Sequence, residues 1–253
     1  TYNRIYSAGG ILTIAPFSNA STIGVGVTGR TLNITTAILN GTDSIFGNGG
    51  KFTGFVLGSA TQTGITTLSG SITTGATNPA DITFAGPVTL AADTTVSTTN
   101  KAIRFSKTIN GAVDGAFGLT VNSGTANTTL NAAVGATSTL RAISITAGST
   151  TLGGGVTTTG SQVWNAALTL SSNAVLASTT ANTGSITFGA TADINVLSYA
   201  LTVQADSLIF TSGAQLRSST FNGRLQLMPL TVTKTIGINT TSCANSATAV
   251  TCA

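Results

Sequence analysis

Six carboxylates hold all the side-chain acid of this chain: Asp43, Asp81, Asp93, Asp114, Asp193 and Asp206. There is no Glu and no His. General acid–base catalysis needs paired groups whose environments push their pKa values apart. These six are scattered, and only Asp93 and Asp114 are spaced to stack on successive turns of a repeating fold. Even for those two, a role in turns is the expected one. Ser is plentiful, but no imidazole stands by to activate it as a nucleophile. No phosphate-cradling G-x-x-x-x-G-K-[ST] stretch is present, and the glycines at 153–155 read as corners of a repeat. The expectation is a chain that is not an enzyme and carries no cofactor and no metal.

Two cysteines, Cys243 and Cys252, lie close to the C-terminus. With no His and no further Cys they cannot complete a zinc site. A disulfide between them, formed in an oxidising compartment, is the expectation, and two free thiols are the alternative. The basic residues Lys101, Arg104 and Lys107 come closest to a cluster. At a spacing of three, alternate members fall on opposite faces of a strand. They read as a solvated turn or edge, where charge also blocks unwanted strand pairing. Near the N-terminus Tyr2, Arg4 and Tyr6 share one face of an extended segment. They form an edge strand of the body, or an arm that contacts a neighbouring subunit.

Charged residues make up 6% of the 253, against about a quarter in an ordinary soluble domain. The net charge of +4 comes from ten bases against six acids, a shortage of acid rather than a basic patch. Nucleic-acid binding is therefore not expected. No apolar run approaches the ~20 residues of a membrane span. The chain begins at Thr1 without Met, which suggests a removed secretion signal or an excised segment.

What positions these residues is a run of short strands. Between residues 186 and 210 the triplets ITF, INV, LTV and LIF recur every seven or eight residues. Each has period two, so its apolar pair shares one face. Gly, Ala, Thr, Ser, Asn and Asp fill the links and suit tight turns. Longer range similarity accompanies this. TTLSGSITT at 66–74 matches TTLGGGVTT at 150–158, and FAGPVTL at 84–90 matches WNAALTL at 164–170. IRF at 103–105 matches ITF at 186–188, and FGLTV at 117–121 matches YALTV at 199–203. The offset of 80–84 residues marks stacked supersecondary units.

Three strands at this spacing make a turn of roughly 22 residues, the design of a right-handed parallel β-helix, or solenoid. Its inward ladder would hold Ile143, Ile145, Leu168, Leu170, Ile186, Phe188, Leu201 and Val203. About four coils would fit the long period. Phe84 and Trp164 would then share one inward face, as would Phe117 and Tyr199. The rival is a Thr/Ser-rich antiparallel β-sandwich. Residues 1–65 read as an N-terminal strand with variant coils, 66–215 as the repeated body, and 216–253 as a C-terminal cap with a disulfide loop.

The stretches at 108–122, 128–136 and 156–165 resemble the repeats of filamentous-haemagglutinin-like and autotransporter-like bacterial surface proteins. The similarity covers about residues 50–212 and is one of repeat style. It implies an all-β shaft, export to the cell surface, and contact with host surfaces or glycans. The family has no catalytic residues to carry over. The expected role is the subunit of a surface filament or an adhesin shaft, a homopolymer joined through its terminal strands. The alternative is a β-helix that binds or cleaves carbohydrate.

Overall fold

The computed structural model describes residues 9–40, 51–74, 78–181, 183–220, 222–231, 233, 243–246 and 249–252, without the side chains of the last two stretches. They form a β-solenoid of about seven turns. The first coil is partial: β1 (Ile11–Ile14), β2 (Ile23–Val25), β3 (Leu32–Ile34) and a five-residue helix, α1 (Thr36–Asn40). Full coils then run through β4 (Gly54–Leu57), β5 (Thr66–Leu68) and β6 (Ile72–Thr73), then β7 (Asp81–Phe84), β8 (Val88–Leu90) and β9 (Thr94–Ser97). Next come β10 (Ile103–Phe105), β11 (Ile109–Gly111), β12 (Gly118–Asn122), β13 (Asn127–Leu130), β14 (Ala142–Leu152), β15 (Val156–Thr158) and β16 (Gln162–Leu170). The body closes with β17 (Ala174–Ser178), β18 (Ser185–Phe188), β19 (Asp193–Asn195), β20 (Ala200–Gln204) and β21 (Ser207–Phe210). After these come β22 (Gln215–Arg217), β23 (Arg224–Met228), β24 (Cys243–Ser246) and β25 (Ala249–Cys252).

These strands stack on three faces. The first face runs β1-β4-β7-β10-β13-β14-β16-β19-β22. The second runs β3-β2-β5-β8-β11, crosses Val134 by single bridges, and continues β15-β17-β20-β23. The third runs β6-β9-β12-β14-β16-β18-β21. All these pairings are parallel. Among the described residues only β22–β25 and β24–β25 pair antiparallel, which excludes the sandwich.

Alternation makes the core. The inward column of the first face is Leu57, Phe84, Phe105, Leu130, Leu152 and Leu170, every member at most 1% exposed. Parallel register forces identical positions together, so Phe84 lies flat on Phe105 with centroids 4.7 Å apart. Such a pair contributes about 0.5–1.5 kcal/mol beyond its buried area. The eight residues expected inward, from Ile143 to Val203, are all buried.

The long period does not mean what its length suggested. Phe84 belongs to the first face and Trp164 to the third. Leu68 of the second face corresponds to Leu152 of the first, and Val121 of the third to Val203 of the second. The offset is three coils and two thirds, so each matched segment lands on the preceding face. From β4 onward, register steps along the first face vary from 18 to 27 residues because corner loops differ, which hides the true coil length. Phe84 and Trp164 do both point inward, at 0% exposure. Phe117 and Tyr199 sit at corners just before strands and are half-buried.

Two strands, β14 with 11 residues and β16 with 9, far exceed the expected triplet. β14 and β16 run round the corner from third face to first without a turn, and a register shift between Thr146 and Ser149 absorbs the bend.

Candidate functional site

The carboxylates do not converge. Asp93 Oδ1 accepts the backbone N–H of Gly118 at 2.8 Å, and Oδ2 meets the Arg141 guanidinium at 2.6 Å. Asp114 Oδ1 accepts both the hydroxyl and the N–H of Thr139, at 2.8 and 2.7 Å. Asp81 takes the N–H of Ala102, and Asp193 holds Arg217 through Nε and Nη2. Asp206 takes the N–H of Thr231 at 2.7 Å. Asp43 lies outside the described residues. The Gly118 N–H, followed by Arg141, draws the Asp93 pKa below its ordinary value. The Thr139 hydroxyl, then its N–H, does the same for Asp114. The bond to Asp193 raises Arg217 further above the usual guanidinium value. Each group is a corner clamp, and Asp93 and Asp114 serve separate ones.

Asparagines repeat the arrangement. Asn100 accepts from Thr125 N, Asn110 from Thr137 N, Asn173 from Ala200 N and Asn195 from Ser219 N. Asn40, at the end of α1, accepts from Thr73 N and so covers the edge of β6. Apart from Asp193, which holds a guanidinium, each of these latches runs from a side-chain oxygen to a backbone N–H one coil later in the chain. The sequence offered this signal in the Asp and Asn at its corners, but not their partners.

Among the described residues no group of three His, Cys, Asp or Glu could hold a metal ion. Lys107 donates to the Gln62 carbonyl at 2.6 Å and Arg104 stands exposed, so the basic trio is dispersed along β10 and its flanks. A shallow groove on the third face is lined by Asp93, Thr95, Thr120, Arg141, Ser144 and Val163. It holds no aromatic platform. No described helix is long and apolar enough to cross a membrane.

The two ends are the chemically unfinished part of the molecule. At the C-terminal end β25 lies antiparallel on β22 and closes the first face. The hairpin register sets Cys243 opposite Cys252; their side chains, like Tyr2, Arg4 and Tyr6 entirely, lie outside the described residues. On the second face Leu225 is 36% exposed, whereas Leu201, its partner one coil earlier, is 1% exposed. Leu208, Phe210 and Leu227 are likewise only partly covered. At the N-terminal end α1 buries Leu39 and leaves Ile38 outward.

The chain matches no protein-family profile, no curated protein and no solved structure. What fold and site define is therefore a class: a β-solenoid protein with latched corners. The likeness to haemagglutinin and autotransporter shafts extends to β-helical repeats and no further.

Proposed function

We propose that this chain is an extracellular structural protein, the subunit of a surface filament or the shaft of an adhesin, assembling head to tail by strand addition. One observation carries the reading. The solenoid is a continuous parallel stack that ends, on the second face, in β3 and β23, to which no further strand is paired among the described residues and whose leucines are only partly covered. Such edges recruit further strands. A head-to-tail contact does not close on itself and builds an open fibre. The scarcity of charge supports this, since little repulsion opposes close stacking of identical copies. The dispersed carboxylates favour a structural role over a carbohydrate-cleaving one.

The N-terminal arm with Tyr2, Arg4 and Tyr6 contributes to the contact between subunits. Cys243 and Cys252 form a disulfide that locks the capping hairpin, which fits an exported protein. Their direct opposition in the β24–β25 register supports the bond.

Sedimentation and negative-stain imaging of the purified chain test the reading. Fibres many subunits long are expected, and deletion of residues 1–9 should leave a folded subunit that assembles poorly. A chain that stays monomeric at high concentration overturns it. Mass analysis without reductant should find the chain two hydrogen atoms lighter than its dithiol form.

A further inference from the structure

We infer that consecutive copies join on the second face, where β23 of one copy pairs in parallel with β3 of the next. This rests on the reading of the chain as a self-assembling shaft and names its contact.

In a parallel ladder the N–H and C=O of one residue point to the same side, and successive residues alternate sides. Arg224 N donates to Tyr199 O, and Met228 O accepts from Ala205 N. Residues 224, 226 and 228 therefore face β20, and Leu225 and Leu227 turn their backbone groups to the open edge. At the other end Leu32 N donates to Thr22 O, and Ile34 O accepts from Gly26 N. Asn33 is thus the residue of β3 that faces away from β2.

One register satisfies all three. With Asn33 opposite Gln226, the Asn33 N–H donates to the Leu225 carbonyl and the Asn33 carbonyl accepts from Leu227 N–H. The same register lays Leu32 over Leu225 and Ile34 over Leu227. Leu225 is 36% exposed and Leu32 half-buried, so the pairing covers both. It also continues the apolar column that Leu201 and Leu225 already share.

A second copy is the occupant because the edge asks for a parallel apolar–polar–apolar triplet with a free outer side. β3 supplies one at the opposite end of the same axis. The other faces are each closed at one end among the described residues, the first by β25 on β22 and the third by α1 against β6. The hairpin stands two strand widths beyond β22, about 10 Å. Copies whose strands pair on the second face therefore meet at an angle, and the fibre is kinked once per subunit.

Cross-linking in the full chain tests the contact. Asn33→Cys combined with Gln226→Cys should give a ladder of covalent oligomers in oxidised fibres. Opposed Cα atoms of paired strands lie within the reach of a disulfide. Peptide mapping should join the segment around residue 33 to that around 226, apart from any bond of Cys243 and Cys252. Asn33→Pro removes the edge N–H while leaving the inward leucines in place. With β-sheet circular dichroism unchanged, it should raise the concentration needed for assembly roughly tenfold. A monomeric unaltered chain overturns the shaft reading and this contact with it. Fibres without the 33–226 bond overturn the contact alone. So do variants with Asn33→Cys alone or Gln226→Cys alone that dimerise through 33–33 or 226–226 bonds.

Discussion

At the scale of single residues, two corners are held by carboxylates, Asp93 and Asp114, whose pKa values are lowered by the groups they clamp. A carboxyl with a depressed folded pKa stabilises the native state above its unfolded value, near pH 4, and that contribution disappears as pH falls through the folded value. The melting temperature should therefore be flat above about pH 5 and drop below pH 4. The double variant Asp93→Asn, Asp114→Asn should flatten that acid limb in a thermal scan from pH 2 to 7. A limb that stays unchanged would place the acid sensitivity elsewhere. Gly135 is the other kind of corner. Its φ is +71°, and an added Cβ would stand 2.1 Å from the Thr157 carbonyl oxygen. Gly135→Ala should cost more than about 1–2 kcal/mol in denaturant unfolding, since left-handed strain and backbone clash add.

At the scale of elements, the strand is the repeating unit and the coil its assembly. Period-two triplets such as LTV at 201–203 and ITF at 186–188 were legible because alternation directly reports burial. The 80–84 residue similarity was legible too, but not its phase. Strands on all three faces obey one inward–outward rule, so a segment moved to a different face keeps its pattern, as IRF at 103–105 and ITF at 186–188 do. The corner-turning strands β14 and β16 and the helix α1 were not legible. Their residues, such as Thr146, Ala147 and Gly148 in one and Thr36–Asn40 in the other, read as links. The latches were half legible, since Asn and Asp announce a corner while their partner amides lie a coil away. Removal of residues 127–148, one coil along the first face, should leave a shorter folded solenoid, because Asn127 and Ser149 occupy equivalent positions. Removal of 7 of those residues, a third of a coil by the ~22-residue turn, should abolish cooperative melting, since later strands keep their inward pattern but the corner latches that span the cut, such as Asp114 to Thr139, lose their partners. Circular dichroism melts of both chains decide this. In the intact chain Phe105→Ala, within the stacked first-face column, should cost about 3–5 kcal/mol.

At the scale of the whole molecule, cohesion comes from apolar columns and backbone ladders, with little from ions. Two ion pairs, Asp93–Arg141 and Asp193–Arg217, are present among the described residues, both solvent-exposed. Exposed pairs contribute little and are screened by salt. Stability should therefore change by less than about 1 kcal/mol between low salt and 1 M sodium chloride, as read from urea midpoints. A large loss in salt would show that charges matter more than the columns do.

The latches all run one way, from an acceptor oxygen to an amide one coil later, as with Asp93 to Gly118 and Asn173 to Ala200. This gives the chain a preferred order of assembly in time. A finished coil presents oxygens at the height where the next coil's amides will settle, so growth from the N-terminal side meets a prepared template. Growth from the opposite side meets amides whose acceptors have yet to be placed. A chain delivered gradually, N-terminus first, would thus ratchet shut one coil at a time. Pulsed hydrogen exchange during refolding should protect Ala102 and Gly118 before Ala200 and Ser219, and simultaneous protection would show that the stack closes without direction.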